Sequence, residues 1–320
     1  PKPAWPPTYL QKQVLELFEL LDTPQANGET IKKLMLERGA DGVKVETVQG
    51  DKGSTDCIKV YIHGKNGKSS GGTAPTLGII GRLGGLGARP EVIGFTSDGD
   101  GALAALAAGL KLAEMHKNGD VLEGDVIVST HICPNAPTQD HFPVPFMHSP
   151  IDMELNNRMD VEENMDAILS IDTTKGNRVI NLNGIAISNT IKEGYILEVS
   201  NDLMDVMTRV TGKLPAIFPC AQQDITPYGN DLHHLNSILQ PATATNAPVV
   251  GVAITTEQPV AGCATGASHP EDVEVAARYA VEVAKGYGEG KVSFYSEKEF
   301  NHLIELYGTM NQFQTFGKNQ

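Results

Sequence analysis

Apolar residues recur at two periods along the chain, and segments of the two kinds alternate. Spacing of three to four residues predicts helices, which are Tyr9–Leu21, Glu29–Arg38, Gly101–Lys117, Asp202–Thr211 and Pro270–Gly286. Alternating or unbroken β-branched and aliphatic runs predict strands, which are Val43–Val48, Cys57–His63, Thr76–Ile80, Glu91–Phe95, Gly124–Thr130, Ala167–Ile171 and Pro248–Thr255, with a strand–turn–strand over Gly184–Leu197. This alternation predicts a three-layer αβα fold around a central sheet.

No repeat, low-complexity block or linker divides the chain, so we predict a single α/β domain over residues 1–320. Residues 1–72 are expected to pack on it as N-terminal helices and strands. Residues 134–150 are rich in proline and contain the apolar run Pro143–Met147. This segment is interpreted as a substrate lid or a contact between subunits.

The charge balance excludes some classes of partner. The chain has 39 acidic and 25 basic residues, a net charge of −14. Such a balance is unsuited to neutralising phosphate backbones or anionic lipid heads, so neither nucleic acid nor membrane is expected as a partner. No apolar run approaches the ~18 residues of a membrane span. Four cysteines lack the CxxC spacing of a thiolate zinc cluster, and a disulfide framework is not expected. We therefore expect a cytoplasmic protein.

Chemically capable side chains follow the ends of the predicted strands. In open α/β sheets functional groups gather beyond the carboxyl ends of the strands, and residues of this kind are Asp98, Asp100, His131, Cys133, Asn135, Asp172 and His269. Carboxylates and imidazoles at successive strand ends are the ligands of a divalent transition-metal site. Each residue alone is a weak signal, and their coincidence favours a metal.

Each of these residues also has a purely structural interpretation. Asp98 and Asp100 precede a helix, whose first turn they could cap. His269 lies between Ser268, a possible N-cap, and Pro270 at the first helical turn. Asp172 could form an Asx turn with Thr174, and His131 on an apolar strand could be a hydrogen-bonded core histidine. These alternatives stay open on the sequence.

The order of segments resembles the superfamily of co-catalytic zinc aminopeptidases and carboxypeptidases, which includes relatives of glutamyl aminopeptidase. The stretch from Ser97 to Leu106 resembles its D-x-x-G segment, and Ala167–Asp172 resembles the strand that ends in a ligand aspartate. The segment Ala267–Val273, which contains His269, is similar to the segment that carries the superfamily's final histidine ligand before a long helix. The chain also resembles a bacterial and archaeal family filed as a domain of unknown function. The resemblance implies a zinc-peptidase-like, phosphorylase/hydrolase-like fold with a mixed sheet.

The departures from that superfamily concern its metal motifs. Its first motif, G-H-x-D, corresponds here to the stretch Gly81–Gly84, which has Arg82 in place of the histidine. Its paired glutamates correspond to the stretch from His131 to Asn135, which has no carboxylate. A general base of that kind contributes on the order of 10²–10⁴ in rate. The resemblance therefore implies a metal centre of altered composition.

The leading hypothesis is a metal-dependent hydrolase of an amide, a cyclic amide or a small peptide. Asp98, Asp172 and His269 are expected to hold a divalent ion, with zinc ahead of manganese, cobalt or nickel. His131 is expected to be a fourth ligand or the general base, because its ordinary pKa of about 6.5 suits that role. Asp100 joins the predicted catalytic residues. The expected substrate-binding residues are Arg82, Asn135 and His141, where Arg82 would bind a substrate carboxylate.

Two hypotheses of other classes remain. One is a metal-free isomerase or racemase that uses Cys133, His131 and Asp98 for proton transfer. The other is a non-catalytic descendant that keeps the fold for binding. The resemblance also implies a homo-oligomer, and the expected partner is a small-molecule or short-peptide substrate.

Overall fold

A mixed β-sheet runs through the molecule and carries helices on both faces. The computed structural model describes residues 9–82, 95–140, 146–221, 232–259, 268–315 and 317. The strands are β1 (Gly42–Gly50), β2 (Gly53–Ile62), β3 (Leu77–Gly81), β4 (Val126–Ile132), β5 (Thr138–Gln139), β6 (Phe146–Met147), β7 (Ala167–Thr173), β8 (Gly184–Ile187), β9 (Ile191–Lys192), β10 (Tyr195–Ile196) and β11 (Val249–Thr255). The helices are α1 (Gln11–Leu21), α2 (Gly28–Arg38), α3 (Asp100–Lys117), α4 (Met153–Asp160), α5 (Asn201–Thr211), α6 (Pro270–Gly288) and α7 (Glu297–Tyr307).

The sheet is parallel in its centre and antiparallel at its ends. Among the described residues its strand order is β1-β2-β4-β3-β7-β11-β9-β10, and β8 pairs with β11 beside β9. β4, β3, β7 and β11 are parallel neighbours. β1, β2 and β4 are joined antiparallel, as are β11 and β8. The mixed α/β fold class predicted from the sequence is confirmed.

Strand alternation divides the apolar side chains between two helical layers. Ile79 and Val128 belong to the cluster that packs against α1, α2, α3, α5 and α6. Ile80 and Ile127, their chain neighbours, face the second layer, where Leu239 in the 3-10 segment Ser237–Thr243 packs against them. α4 lies in this second layer. Because the central strands are buried on both faces, their sequences are mostly apolar and do not alternate regularly with polar residues.

Local sequence explains the ends of the predicted helices. The side chain of Asn27 accepts a hydrogen bond from the amide of Thr30 and so caps α2. At the other end of α2, Gly39 has a φ of 115°, in the left-handed region that glycine adopts without strain. α2 therefore ends where the sequence predicts, and α1 and α3 begin within two residues of their predicted starts.

The structure adds elements that the sequence patterns did not identify. α4 and α7 were not predicted, and β2 begins at Gly53 rather than at Cys57. The buried residues of α4 are polar, namely Asn156, Asn157 and Asp160, which explains why an apolar period missed it. Within residues 134–150, β5 and β6 pair as a short antiparallel ribbon. Residues 91–94 of the predicted strand Glu91–Phe95 lie outside the described residues. The single domain and the lid stay predictions.

The first turn of α3 packs directly onto the ends of β3 and β7. A Cβ atom at Gly101 would lie 2.5 Å from the carbonyl oxygen of Ile171 and 2.6 Å from that of Arg82. Gly81 has the reciprocal contact, since its Cβ would lie 2.7 Å from the Cα of Ala102. The obstructing atoms are backbone atoms, which cannot move aside as a side chain would. Only glycine at 101 therefore allows this approach of helix to sheet.

Replacing Gly101 by alanine is expected to destabilise the fold. The added Cβ would collide with two carbonyl oxygens, and forced overpacking of this kind typically costs 1–3 kcal/mol. We expect the free energy of unfolding, measured by urea denaturation, to fall by about 2 kcal/mol.

Gly109→Ala is the matched control for this prediction, because it is the same substitution in the same helix. Its Cβ would meet the side chain of Val128 at 3.2 Å, and alanine gains up to about 1 kcal/mol of helix propensity. We expect a change within about 1 kcal/mol of zero. Equal destabilisation by the two substitutions would contradict the close packing of α3.

Candidate functional site

Three parallel strands and two helix N-termini meet at one edge of the sheet. β3, β7 and β11 are parallel neighbours, so their carboxyl ends lie at the same edge. α3 begins there at Asp100, and the contact of Gly101 with Ile171 places that turn against β7. α6 begins at Pro270, and the residue two positions earlier, Ser268, bonds to Asp100. The first turn of α3 and the segment before α6 are therefore joined at the carboxyl edge of β3, β7 and β11, and we call this region the carboxyl-edge junction.

Asp100 is the centre of this junction. Its side chain is fully buried. Ser268 Oγ donates a hydrogen bond of 2.6 Å to Asp100 Oδ1. Lys175 Nζ lies 3.7 Å from Asp100 Oδ2, an ion pair that is too long for a hydrogen bond. Asp100 Oδ2 has no hydrogen-bond partner among the described residues. The cluster of Asp100, Lys175 and Ser268 thus leaves one carboxylate oxygen able to accept a further hydrogen bond or a proton.

Burial changes the acidity of Asp100. Desolvation raises the pKa of Asp100 to about 7, because the charged form loses its hydration, and the charge of Asp272 acts in the same direction. Lys175 and the hydrogen bond from Ser268 lower the pKa and offset part of the increase. At neutral pH the carboxyl group is therefore divided between its protonated and ionised forms. A group with this acidity can take up and release a proton near pH 7.

His269 and Asp272 form a second pair at the start of α6. His269 Nδ1 lies 3.6 Å from Asp272 Oδ2, and about half of the His269 side chain, 51%, is exposed. Burial raises the pKa of Asp272, and the neighbouring His269 opposes that increase. His269 occupies the N-cap position of α6 without a capping hydrogen bond from its side chain. Ser268, the N-cap of the structural interpretation, bonds to Asp100 instead.

The predicted metal ligands do not converge in the described part of the chain. Asp98 is nearly buried in the 3-10 turn Ser97–Gly99. Asp172 Oδ1 accepts a hydrogen bond of 2.7 Å from the amide of Thr173. Within the described residues, no three His, Cys, Asp or Glu side chains are close enough to hold one metal ion. The donor set of Asp98, Asp172 and His269 therefore does not fit a single metal ion in this arrangement.

Strand alternation sets the side of the sheet that Asp172 faces. Along β7, Ile171 faces the layer of α3, whereas Ile168 and Ser170 face the 3-10 segment Ser237–Thr243. The period of two places Asp172 on the side of Ser170. Asp98 and His269 lie in the segments before α3 and α6.

Arg82 is buried towards the layer of α4. Its guanidinium donates hydrogen bonds of 2.8 Å to Asn157 Oδ1 and 3.0 Å to Asp160 Oδ2. Burial raises the pKa of Asp160 to about 6, and Arg82 opposes that increase. The positive charge of Arg82 is thus compensated by a carboxylate of the same chain. Its binding of a substrate carboxylate stays a prediction.

His131, Cys133 and Asn135 lie at the end of β4 and beyond it. His131 is fully buried, and its Nδ1 lies 2.8 Å from Thr55 Oγ1. Cys133 Sγ donates to the carbonyl of Ser54 at 3.3 Å, and burial raises the pKa of the Cys133 thiol to about 11. At neutral pH this sulfur is therefore a thiol, the less nucleophilic form. Asn135 is exposed, and His141 lies outside the described residues. The catalytic and binding roles of these residues stay predictions.

Lys175 and Ser268 were not selected from the sequence. Lys175 follows the end of β7 by two residues, so the rule that selected Asp172 could have included it. Ser268 was considered only as a helix cap. Ser268 lies 168 positions from Asp100 in the chain, and no local pattern encodes a contact over that distance.

Comparisons with solved structures support the fold. The structure is similar to the LapA aminopeptidase of Legionella pneumophila, with a TM-score of 0.50, 11% identity, and coverage of 90% of this chain and 71% of that chain. It is similar to a glutaminyl cyclase of an Acidobacteriales bacterium (TM-score 0.51, 12% identity, 91% and 98% coverage) and to a mutant tomato leucine aminopeptidase (TM-score 0.51, 9% identity, 85% and 60% coverage). At these identities the likeness shows the fold alone, and it confirms the predicted peptidase-like fold.

Sequence comparison gives the family. No curated protein matches the chain in sequence. A family described as "Protein of unknown function (DUF1177)" matches residues 46–317. This match covers most of the chain and includes the strand ends, α3 and α6 that form the carboxyl-edge junction. The chain therefore belongs to the DUF1177 family.

Proposed function

We propose that the chain hydrolyses a C–N bond of an amide, a cyclic amide or a short peptide at the carboxyl edge of β3, β7 and β11. The observation that carries this proposal is the buried Asp100, which has a pKa of about 7 and contacts both Ser268 and Lys175. The peptidase-like fold and the position at the strand ends support it. The substrate would be a small molecule or a short peptide.

Ser268 would connect Asp100 to the substrate. Asp100 is fully buried, whereas Ser268 is partly accessible. As a water molecule attacks the carbonyl carbon, it would pass a proton to Ser268 Oγ while Ser268 passes its own proton to Asp100. In the second step Ser268 would pass its proton to the leaving nitrogen and take one back from Asp100. The C–N bond would then break and release a carboxylic acid and an amine. Asp100 then acts through Ser268, the catalytic residue that touches the reacting water.

Lys175 would supply positive charge to the same reaction. Its side chain is only 11% exposed, so its ammonium group acts on Asp100 with little screening by solvent. When Asp100 is ionised, the ammonium group of Lys175 stabilises its negative charge. During hydrolysis, negative charge also develops on the carbonyl oxygen of the substrate. A buried cation beside that oxygen lowers the free energy of the transition state. Lys175 would thereby take the electrostatic part that a metal ion has in metal-dependent hydrolysis.

The metal-dependent form of the proposal keeps Asp98, Asp172 and His269 as ligands, with His131 as fourth ligand or base. It differs from the proton relay in needing zinc, manganese, cobalt or nickel.

For the compartment we propose the cytoplasm, because Cys57, Cys133 and Cys220 are free thiols, as is usual under reducing conditions. None of the helices in the described part of the chain has the length and apolar character needed to cross a bilayer.

The pH dependence of hydrolysis tests the relay. A panel of aminoacyl-p-nitroanilides, dipeptides and cyclic amides would identify a substrate that the wild type cleaves. The rate should rise with pH around an apparent pKa of about 7, because the relay needs ionised Asp100. Asp100→Asn should remove this rise of the rate with pH and lower kcat by about 10²-fold or more.

Ser268 variants provide the control for the relay. Ser268→Ala should lose activity to a similar extent, and Ser268→Thr, which keeps the hydroxyl, should retain much more. If Ser268→Ala kept the wild-type rate and its rise with pH, the relay would be wrong.

The pH dependence of stability tests the acidity of Asp100 without any substrate. Its pKa in the folded state, about 7, is above the ordinary value of 3.8, so the folded state binds the proton more tightly. The free energy of unfolding therefore falls as pH rises through this interval. Because asparagine does not titrate, Asp100→Asn should gain about 2–3 kcal/mol relative to the wild type between pH 5 and pH 8. A difference that is constant with pH in urea titrations would contradict the raised pKa.

Metal removal distinguishes the two forms of the proposal. Hydrolysis should persist after treatment with EDTA, because the relay uses Asp100, Ser268 and Lys175. Elemental analysis of protein purified without chelator is the second measurement. Stoichiometric zinc, manganese, cobalt or nickel that is lost in Asp98→Ala and His269→Ala, together with EDTA-sensitive activity, would favour the metal-dependent form.

A further inference from the structure

The sheet ends in a long strand whose outer edge is unpaired within the described residues. β1 pairs with β2 at nine positions, from Gly42 with Tyr61 to Gly50 with Gly53, and no other described strand adjoins it. At the opposite end of the sheet, β10 has only two residues. Backbone N–H and C=O groups along such an outer edge can pair with another strand.

We propose that two copies of this chain form a dimer by antiparallel pairing of their β1 strands, with the two-fold axis at Val45. The central sheet would then continue from one subunit into the other. This interface lies apart from the carboxyl-edge junction, so the inference is independent of the proposed hydrolysis.

Charge complementarity selects this register. Lys44 and Glu46 are exposed, and with one residue between them they lie on the same face of β1. An axis at Val45 places Lys44 opposite the partner's Glu46 and, by symmetry, Glu46 opposite the partner's Lys44. Two cross-strand ion pairs result, and directly opposed unlike charges stabilise antiparallel strands.

Neighbouring registers are less favourable. An axis at Glu46 would place the two glutamates of a dimer directly opposite each other, which is repulsive. An axis at Thr47 would place Lys44 opposite glycine and Glu46 opposite valine, without compensation of either charge. All these registers continue each face of the sheet on the same side in the partner. Of them, the axis at Val45 is the one that pairs both Lys44 and Glu46 with an opposite charge.

The contacts of β1 within its own subunit leave its outer edge without a described neighbour. The Lys44 ammonium lies 5.1 Å from the ring centroid of Tyr61, on the adjacent strand. Glu46 forms no ion pair with the described residues. The other face of β1 packs on α2, where a Cβ at Gly28 would lie 2.6 Å from Val45 Cγ1. In the proposed dimer the two α2 helices would lie on the same side of the continuous sheet.

Light scattering and sedimentation equilibrium of the full chain test the dimer. The wild type should have twice the mass of the 34.2 kDa chain. Lys44→Glu places glutamate opposite glutamate twice, and Glu46→Lys places lysine opposite lysine twice. Each substitution alone should raise the dimer Kd by about tenfold or more. Lys298→Glu, at an exposed position on α7, should leave the Kd unchanged.

Restoring the charge pairs gives the decisive measurement. The double variant Lys44→Glu/Glu46→Lys should dimerise like the wild type, because every opposed pair is again unlike. A mixture of the two single variants should form heterodimers, since each then opposes only unlike charges. Circular dichroism would verify that both single variants are folded. A monomeric wild type, a Kd that neither single variant changes, or a mixture that stays monomeric would overturn the proposal.

Discussion

The close approach of α3 to the ends of β3 and β7 is the constraint on which the carboxyl-edge junction depends. Gly101 allows the helix to contact the carbonyl oxygens of Ile171 and Arg82, and this contact buries Asp100 completely. Because the carboxyl group loses its hydration there, its charge must be stabilised by groups from elsewhere in the chain. Lys175 and Ser268 supply that stabilisation from two other segments. Packing thus determines the acidity of Asp100.

The two layers beside the sheet divide the polar groups of the molecule. Asp100, Ser268, His269 and Asp272 belong to the side of α3 and α6, where the largely buried Lys175 pairs with Asp100. Arg82 and Asp160 form a separate buried pair beneath α4. One arrangement is suited to proton transfer near neutral pH, and the other compensates two buried charges. The proposed hydrolysis follows from the first arrangement only.

Particular residues show how far sequence patterns extend. The alternation of apolar helices and strands predicted the fold class, because burial on both faces makes each central strand mostly apolar. The same periodicity failed for α4, whose buried residues Asn156, Asn157 and Asp160 are polar. Asp100 was selected because it follows a predicted strand and precedes a helix. Asp98, Asp172 and His269 were selected by the same rule, and their role as one ligand set stays a prediction.

The sequence by itself determined the alternation of helices and strands, the acidic balance and the strand ends at which polar side chains collect. These follow from local periodicity and composition, which need no knowledge of distant residues. Only the tertiary structure decided that Asp100 contacts Lys175 and Ser268, that Arg82 pairs with Asp160, and that the described metal-ligand candidates stay apart. The physical reason is that burial and electrostatic pairing depend on contacts between residues 75 to 168 positions apart, which arise only when the sheet and its two helical layers pack together.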